Sequence, residues 1–398
     1  MAEQRPQIPY FKEFLPTPVC IVLSLFFAMV FQFNGGVFLL AATQMSSALG
    51  CIQEDVTMAG YASFIGMLMV VWICVMCLTR TIRLGKKIPL YGIDWIGLLL
   101  WTVMLFAIVF ICIYGDFYDW LDSVQIRSCI VIAVVSLLIN INRMTSIRHP
   151  YIDPQVFRYK KFPVVLFLFL MLCLFLTTSS VLQNAFMTSI LQYDTLNAIS
   201  LNWCVFAGIL AGAGIVFFRQ AVLKKGYKLL ISVGFTLIVM YQYYMYFLIY
   251  PDLNIESLYL PNFLKGIGHG VLYISLTIYV AKHIPFKHFF QSLCVLSFIR
   301  TSIATPLGAA ILNRWMKHLQ RDNWGLLSRN MDNLHEWMPD VSLMQLYEEV
   351  NTQTMLTSLK ELFGWICLLG TVFLVIVSAT ESGATATWQR SKCCIACP

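Results

Sequence analysis

Charge is what this sequence has little of. Only 12% of its 398 residues are Asp, Glu, Lys or Arg, against roughly a quarter in a soluble domain, and its mean hydropathy is +0.74. That shortage excludes a soluble fold. Also missing are a phosphate-binding glycine loop, a paired-histidine metal motif and a nucleophile elbow. No cofactor, no metal and no enzymatic activity are therefore expected, and an ATP-driven pump would need a partner to supply its ATPase. No disulfide framework can be read either. The thirteen cysteines fall mostly inside apolar runs, as Cys74, Cys77, Cys112, Cys173 and Cys367 do, where they act as small hydrophobes. The opening MAEQRPQIPYFKEFLPTP has acids and prolines before the first apolar run and no small-residue cleavage site after it. That run is expected to be a retained span, not a signal peptide. The net charge of +7 would suit nucleic acid, but the basic residues sit in short loops between apolar runs. Such a distribution suits a lipid bilayer with an anionic cytoplasmic leaflet, and no nucleic acid.

What is present is a series of long apolar runs, and Ile93–Arg127 sets their pattern. It opens with Asp94, runs apolar long enough to cross the hydrocarbon as a helix, and ends in a polar knot holding Asp116, Asp119, Trp120 and Asp122. Ten spans of this kind are predicted: Pro18–Ala42, Thr57–Thr79, Ile93–Tyr114, Ile126–Arg143, Pro163–Gln183, Ser200–Phe218, Lys228–Tyr250, Leu260–Ala281, Phe289–Asn313 and Glu361–Thr380. The fourth is the shortest. The fold class expected is all-α, a polytopic membrane protein of about ten transmembrane helices.

The loops give an independent reading. Those expected inside carry Arg80/Arg83/Lys86/Lys87, Arg143/Arg148/Arg158/Lys160/Lys161, Arg219/Lys224/Lys225 and Lys282/Lys287. Those expected outside carry Glu54/Asp55, Asp116/Asp119/Asp122, Asp194 and Asp252/Glu256. Over these eight loops the signs alternate without a break, which predicts both termini in the cytoplasm. The longest connection, 314–360, is expected outside. Within it Leu343, Leu346, Tyr347 and Val350 recur at helical spacing behind a capping box of Ser342 and Gln345. They form either an amphipathic helix on the membrane face or an ordinary packed loop helix. The tail, 381–398, with Cys393, Cys394 and Cys397, is expected to be disordered. Its three cysteines are too few for a closed zinc site.

Polar groups inside apolar spans carry the functional expectations, because their burial is costly. Arg300 lies about eleven residues from either end of its span, roughly 16 Å from each interface and too far to snorkel. It either meets an anion or acidic partner, or bonds backbone carbonyls between helices. Lys265 and His269, four apart, share a helix face. Lys265, near the outer end, is expected to snorkel; His269 is deeper and either packs by hydrogen bonding or titrates near neutral pH. Gly266, Gly268 and Gly270 beside them allow another helix to approach closely. Gln183 and Asn184 follow Thr-Thr-Ser-Ser and either line an external vestibule or mark a helix end. Asn34 lies in FQFNGG within the first span, where an amide bonds another helix or touches substrate. Asp94 at a helix start is favoured by the macrodipole without further role.

Several of these stretches together resemble the EmrB/QacA-type drug:proton antiporters, the fourteen-span branch of the major facilitator superfamily. The stretches are IDWIGLLLW followed by GDFYDW, then RHPYIDPQVFRYKKFP, LKGIGHG, IRTSIATPLGAAI and ALGCIQEDVTMAGYASFIGM. Lys265 stands where that family's Arg-Gly-x-Gly-x-Gly span has arginine, and Asn34 falls where it carries a first-span aspartate tied to proton coupling. Spans three to six and the fifth-span antiporter signature have no counterpart, so the resemblance implies an incomplete major-facilitator fold. It divides the chain into 1–92 (two spans, a remnant of the first bundle), 93–145 (two linker spans), 146–380 (a six-span bundle with the 314–360 loop) and the cytoplasmic tail 381–398.

The function the resemblance implies is efflux of lipophilic or amphipathic small molecules across a bacterial inner membrane, driven by a proton gradient. Arg300, His269 and Lys265 would touch substrate or anion, and Asn34, Gln183 and Asn184 would line the cavity. Such relatives work with a periplasmic adaptor and an outer-membrane channel, and a homo-oligomer would be one way to complete the missing bundle. The alternative is a non-transporting membrane scaffold or degenerate transporter fragment.

Overall fold

The computed structural model describes residues 45–62, 94–147, 150–159, 161–193, 197–223, 226–329 and 342–395. Helices make up its regular structure, with no strand among the described residues, and eight of them are long and apolar enough to cross a membrane. We number these α1 (Trp95–Tyr114), α2 (Val124–Ser146), α3 (Phe162–Ser189), α4 (Ile199–Gln220), α5 (Lys228–Leu248), α6 (Ile255–His283), α7 (Gln291–Arg329) and α8 (Met344–Val377). The chain is an all-α polytopic integral membrane protein. Each of the last eight spans read from the sequence falls on one of these helices. Pro18–Ala42, with Asn34, and most of Thr57–Thr79 lie outside the described residues.

Three expectations of detail change. The fourth span is not the shortest: α2 has 23 residues against 20 in α1. Ser123 starts it early by accepting from the Ile126 amide at 3.2 Å, and Asn142 and Arg143 continue the helix instead of ending it. Second, the 314–360 connection is largely helical. α7 runs 39 residues, ending at Arg329, on the order of 58 Å where the hydrocarbon needs about 30 Å. Arg314, Lys317 and Arg321 read as the end of a span, yet they are good helix formers, and no glycine or proline intervenes from Ala309 until Gly325. On the returning side, Ser342 and Gln345 form the reciprocal box. The Gln345 amide donates to Ser342 Oγ and the Ser342 amide to Gln345 Oε1, both at 3.3 Å. The helix that starts there is not a separate element on the membrane face, because it continues without a break from Leu343 to Ile395. Third, and for the same reason, the backbone of the tail is helical as far as Ile395 rather than disordered. Its Ala, Glu, Gln and Arg residues support a helix, and the next proline is Pro398.

The chain forms two compact units, Met1–Gln155 with Thr301–Pro306, and Val156–Arg300 with Leu307–Pro398. In the first, α1 and α2 make an antiparallel hairpin against the helix 53–62, with Met58, Val109, Tyr114 and Ile126 at the contact. The Tyr114 hydroxyl donates to Asp55. The turn between α1 and α2 is tight because Trp120 folds back on it. The Trp120 amide bonds Gly115 O at 2.7 Å, and a Cβ on Gly115 would lie 3.1 Å from the indole. Asp119 and Trp120 both take left-handed φ, 51° and 54°, a conformation that stores strain in residues other than glycine.

The second unit is organised around α6. Gly266 and Gly270 face Gly208 and Gly212 of α4 so closely that a Cβ on Gly266 would overlap Val205 O, and one on Gly270 would lie 2.8 Å from Ile209 O. On its other side Gly268 lies against α5, where a Cβ would be 2.8 Å from Ile238 Cγ1. Three glycines thus let α6 sit backbone to backbone with two neighbours.

Candidate functional site

Where α6 packs closely, the polar side chains of Asn262, Lys265 and Ser275 are buried. Lys265 is 8% exposed, and its ammonium donates to Asn262 Oδ1 at 2.7 Å and to Ser179 Oγ of α3 at 2.8 Å. It also stands 5.3 Å over the ring of Tyr241 on α5. So the lysine does not snorkel. Asn262, one turn before it and 1% exposed, presents an oxygen that keeps it inside. No carboxylate pairs with it among the described residues, which leaves the cation held by neutral oxygens and an aromatic face.

Tyr241, fully buried, passes the network on by donating to Gln183 Oε1 at 2.7 Å. Gln242 beside it donates to Phe175 O at 3.1 Å and to Thr178 Oγ1, while its own Oε1 is buried without a partner among the described residues. That orphan acceptor is an uncompensated cost inside the bundle.

The backbone is irregular at this place. Ser179–Gln183 is a π-helical turn within α3 that carries both the Ser179 hydroxyl and Gln183. Such turns add a residue to the helix, rotate the side chains that follow and recur at functional sites. Adjacent residues of a helix do not share a face, and the pair read together from the sequence is split. Gln183 is 4% exposed and joins the network, whereas Asn184 points to the exposed surface. Asn184 therefore does not share a lining with Gln183.

A second polar line runs along the same face of α6. Lys265, His269 and Tyr273 follow at four-residue spacing. His269 is half-buried and meets the Tyr273 ring edge-on at 6.1 Å. Phe169 of α3 packs on Tyr273 at 5.6 Å, and the Arg300 guanidinium of α7 lies 5.0 Å over it. Arg300 itself sits in another π-helical turn, Ile299–Ala304. The structure thus brings Lys265, His269 and Arg300 onto one stripe, and Gln183 joins it through Tyr241. Asn34 lies outside the described residues.

Sequence reading gave no role to Ser179, Tyr241, Gln242, Asn262 and Tyr273. Two of them carried a local signal: Asn262, a polar residue one helical turn before an intramembrane lysine, and Gln242, an amide inside an apolar span.

Asp94 is part of a different arrangement, at the end of the α1–α2 hairpin. It caps α1 by accepting from the Gly97 amide at 2.9 Å and takes Arg143 Nη2 at 2.7 Å and Nε at 2.9 Å. A Cβ on Gly97 would overlap the carboxylate, which explains the Asp-x-x-Gly spacing. Burial pushes the Asp94 carboxyl up. The bonds from Arg143 and from the Gly97 and Tyr151 backbones outweigh it and hold the group below the ordinary carboxylate range. Asp94 therefore does more than face a helix dipole: it ties the start of α1 to the end of α2.

No cluster of three or more His, Cys, Asp or Glu is placed to hold a metal among the described residues. No protein-family model matches the chain, and no curated protein matches it.

Proposed function

We propose that this protein is a transporter that moves lipophilic or amphipathic small molecules out of the cell. One observation carries the reading: a lysine with no carboxylate partner among the described residues, buried between α3, α5 and α6 against a π-helical turn. A cation kept at a helix interface by neutral oxygens and an aromatic face is costly, and a guest that repays the cost is the simplest reason to keep it. The substrate would run along the α6 stripe, with Tyr241, Tyr273 and Phe169 as its apolar walls and Lys265, His269 and Arg300 as its polar contacts.

The major-facilitator resemblance belongs to the same proposal, as do a bacterial inner membrane, cytoplasmic termini, coupling to a proton gradient, and an adaptor with an outer-membrane channel. Asn34 has no proton to exchange, so coupling would fall to titratable groups on the stripe, His269 or Lys265. Enzymatic chemistry forms no part of this reading.

The test is efflux from cells that lack their own drug pumps and express only this chain, loaded in turn with anionic, neutral and cationic amphipathic dyes. Efflux that a protonophore abolishes, and that Arg300→Ala removes without loss of membrane insertion, is expected. A fully inserted chain that exports none of the dyes would overturn transport and favour a non-transporting scaffold.

A further inference from the structure

Beyond the apolar part of α7, the helix continues with Arg314, Lys317 and Arg321, and α8 approaches it through Asn351, Thr354 and Ser358. The two form an antiparallel helical pair. Trp315 meets Trp365 at 6.4 Å, Asn323 Nδ2 donates to Ser358 Oγ at 3.0 Å, and Trp324 packs edge-on to Tyr347 at 5.3 Å. Between them is a cleft of about 340 Å³ lined by Lys317, Gln320, Arg321, Trp324, Asn351 and Thr354.

Among the described residues its charged lining is basic: Lys317 and Arg321 lie one turn apart on the same face of α7, and no described carboxylate lines the cleft. Asp322, the nearest acid along α7, is turned to His318 at 3.3 Å. Thr354 is 2% exposed and its Oγ1 has no hydrogen-bond partner among the described residues. A buried hydroxyl left in that state costs roughly 1–3 kcal/mol, and Thr354 is one of the residues that line the cleft with the two cations. While the Gln320 amide donates to Met355 Sδ, a guanidinium, an ammonium, a hydroxyl and the Asn351 amide gather donors around one space, more than a flat carboxylate can take up. A phosphate group, with three or four acceptor oxygens, can use them. Trp324 offers a face for whatever carries the phosphate.

We propose that this cleft is a binding site for a phosphate group, distinct from the Lys265 stripe. Depth bears on the source. Counting 1.5 Å per residue from Asn313, Lys317 and Arg321 stand roughly 6 and 12 Å beyond the apolar part of α7. Lipid headgroups begin at that level, and water follows. The phosphate is either the phosphodiester of a lipid or that of a free phosphorylated compound, recognised by the same groups.

The experiment uses purified full-length protein and follows tryptophan emission, with Trp324→Phe identifying the signal from the cleft. Inorganic phosphate is titrated in neutral detergent. Separately, nanodiscs of phosphatidylcholine are compared with nanodiscs containing phosphatidylglycerol. A saturable change with phosphate in detergent supports a free-phosphate site, and a change only with phosphatidylglycerol supports a headgroup site. In either case Arg321→Gln and Thr354→Val should weaken it at least about tenfold, the loss expected from one charge-assisted hydrogen bond. Arg329→Gln, on the same helix outside the cleft, should not. Arg321 is exposed, so its variant folds whether or not Thr354→Val does. No saturable change with either probe, or an equal change in Arg321→Gln and wild type, would overturn the site.

Discussion

Two charges in this molecule are treated in opposite ways. Asp94 has its countercharge in place: Arg143 grips it through two nitrogens, a backbone amide caps it, and the carboxylate side chain is 4% exposed. Lys265, equally deep in its own unit, has Asn262, Ser179 and the face of Tyr241, and no carboxylate among the described residues. A paired charge is complete and serves as a fastener. A charge satisfied by neutral oxygens still has attraction to offer, and it can exchange those oxygens for a ligand without leaving an opposite charge stranded. The same contrast runs through the backbone. The hairpin starts at a side-chain cap, whereas the network around Lys265 is built on a π-helical turn.

The sharpest way to break this contrast is to remove the fastener. Asp94→Ala leaves Arg143 without its carboxylate and Gly97 without its cap. Because Arg143 is 29% exposed and can find water, the loss should fall near the low end for a buried pair, about 2–3 kcal/mol. Thermal unfolding in detergent would measure it, and a cycle with Arg143→Ala should return a coupling of about 1–2 kcal/mol. Additive effects would mean that the pair is not a fastener.

Next in size is Asn262→Leu, which takes one of the two oxygens from Lys265 and should cost about 2 kcal/mol, the range for hydrogen bonds to charged groups. Adding Lys265→Met to it should restore most of that stability, since no charge then needs the oxygen. A double variant as unstable as Asn262→Leu alone would show that Asn262 acts by packing.

The smallest effect is in pH. The native Asp94 carboxyl titrates below its unfolded value, so between the two values the unfolded chain binds more protons and stability rises with pH. The contribution is complete above the unfolded value of about 4 and is lost as pH falls through the native one. The stability gap between wild type and Asp94→Asn should be constant at neutral pH and shrink only in that acid window. A gap that opens as pH falls has the wrong sign for this account.

Much of the fold could be read from the sequence, because a membrane span is a matter of length and apolarity, and both are local. The capping box at Ser342 and the tight packing at the Lys265 glycines were open to the same local reading. The end of α7 was not. Arg314 and Lys317 signal the membrane boundary but not the end of a helix, and the two need not coincide.

The site was legible only in part. Lys265, His269 and Arg300 stand out as charges and polar groups in apolar spans. That Lys265 turns inward depends on Ser179, 86 residues away, meeting it across a helix interface. A contact at that distance along the chain leaves no periodicity in the sequence, whereas the splitting of Gln183 from Asn184 follows from helix geometry, in which adjacent residues do not share a face.

The most direct test of the Lys265 assignment is Lys265→Met, reconstituted in proteoliposomes, with flux of a dye that the wild type exports and melting temperature measured on the same preparation. Flux should fall at least about tenfold, with a melting temperature equal to or above wild type, because a costly buried charge has been removed. Wild-type flux with a lowered melting temperature would make Lys265 a structural lysine and contradict the account.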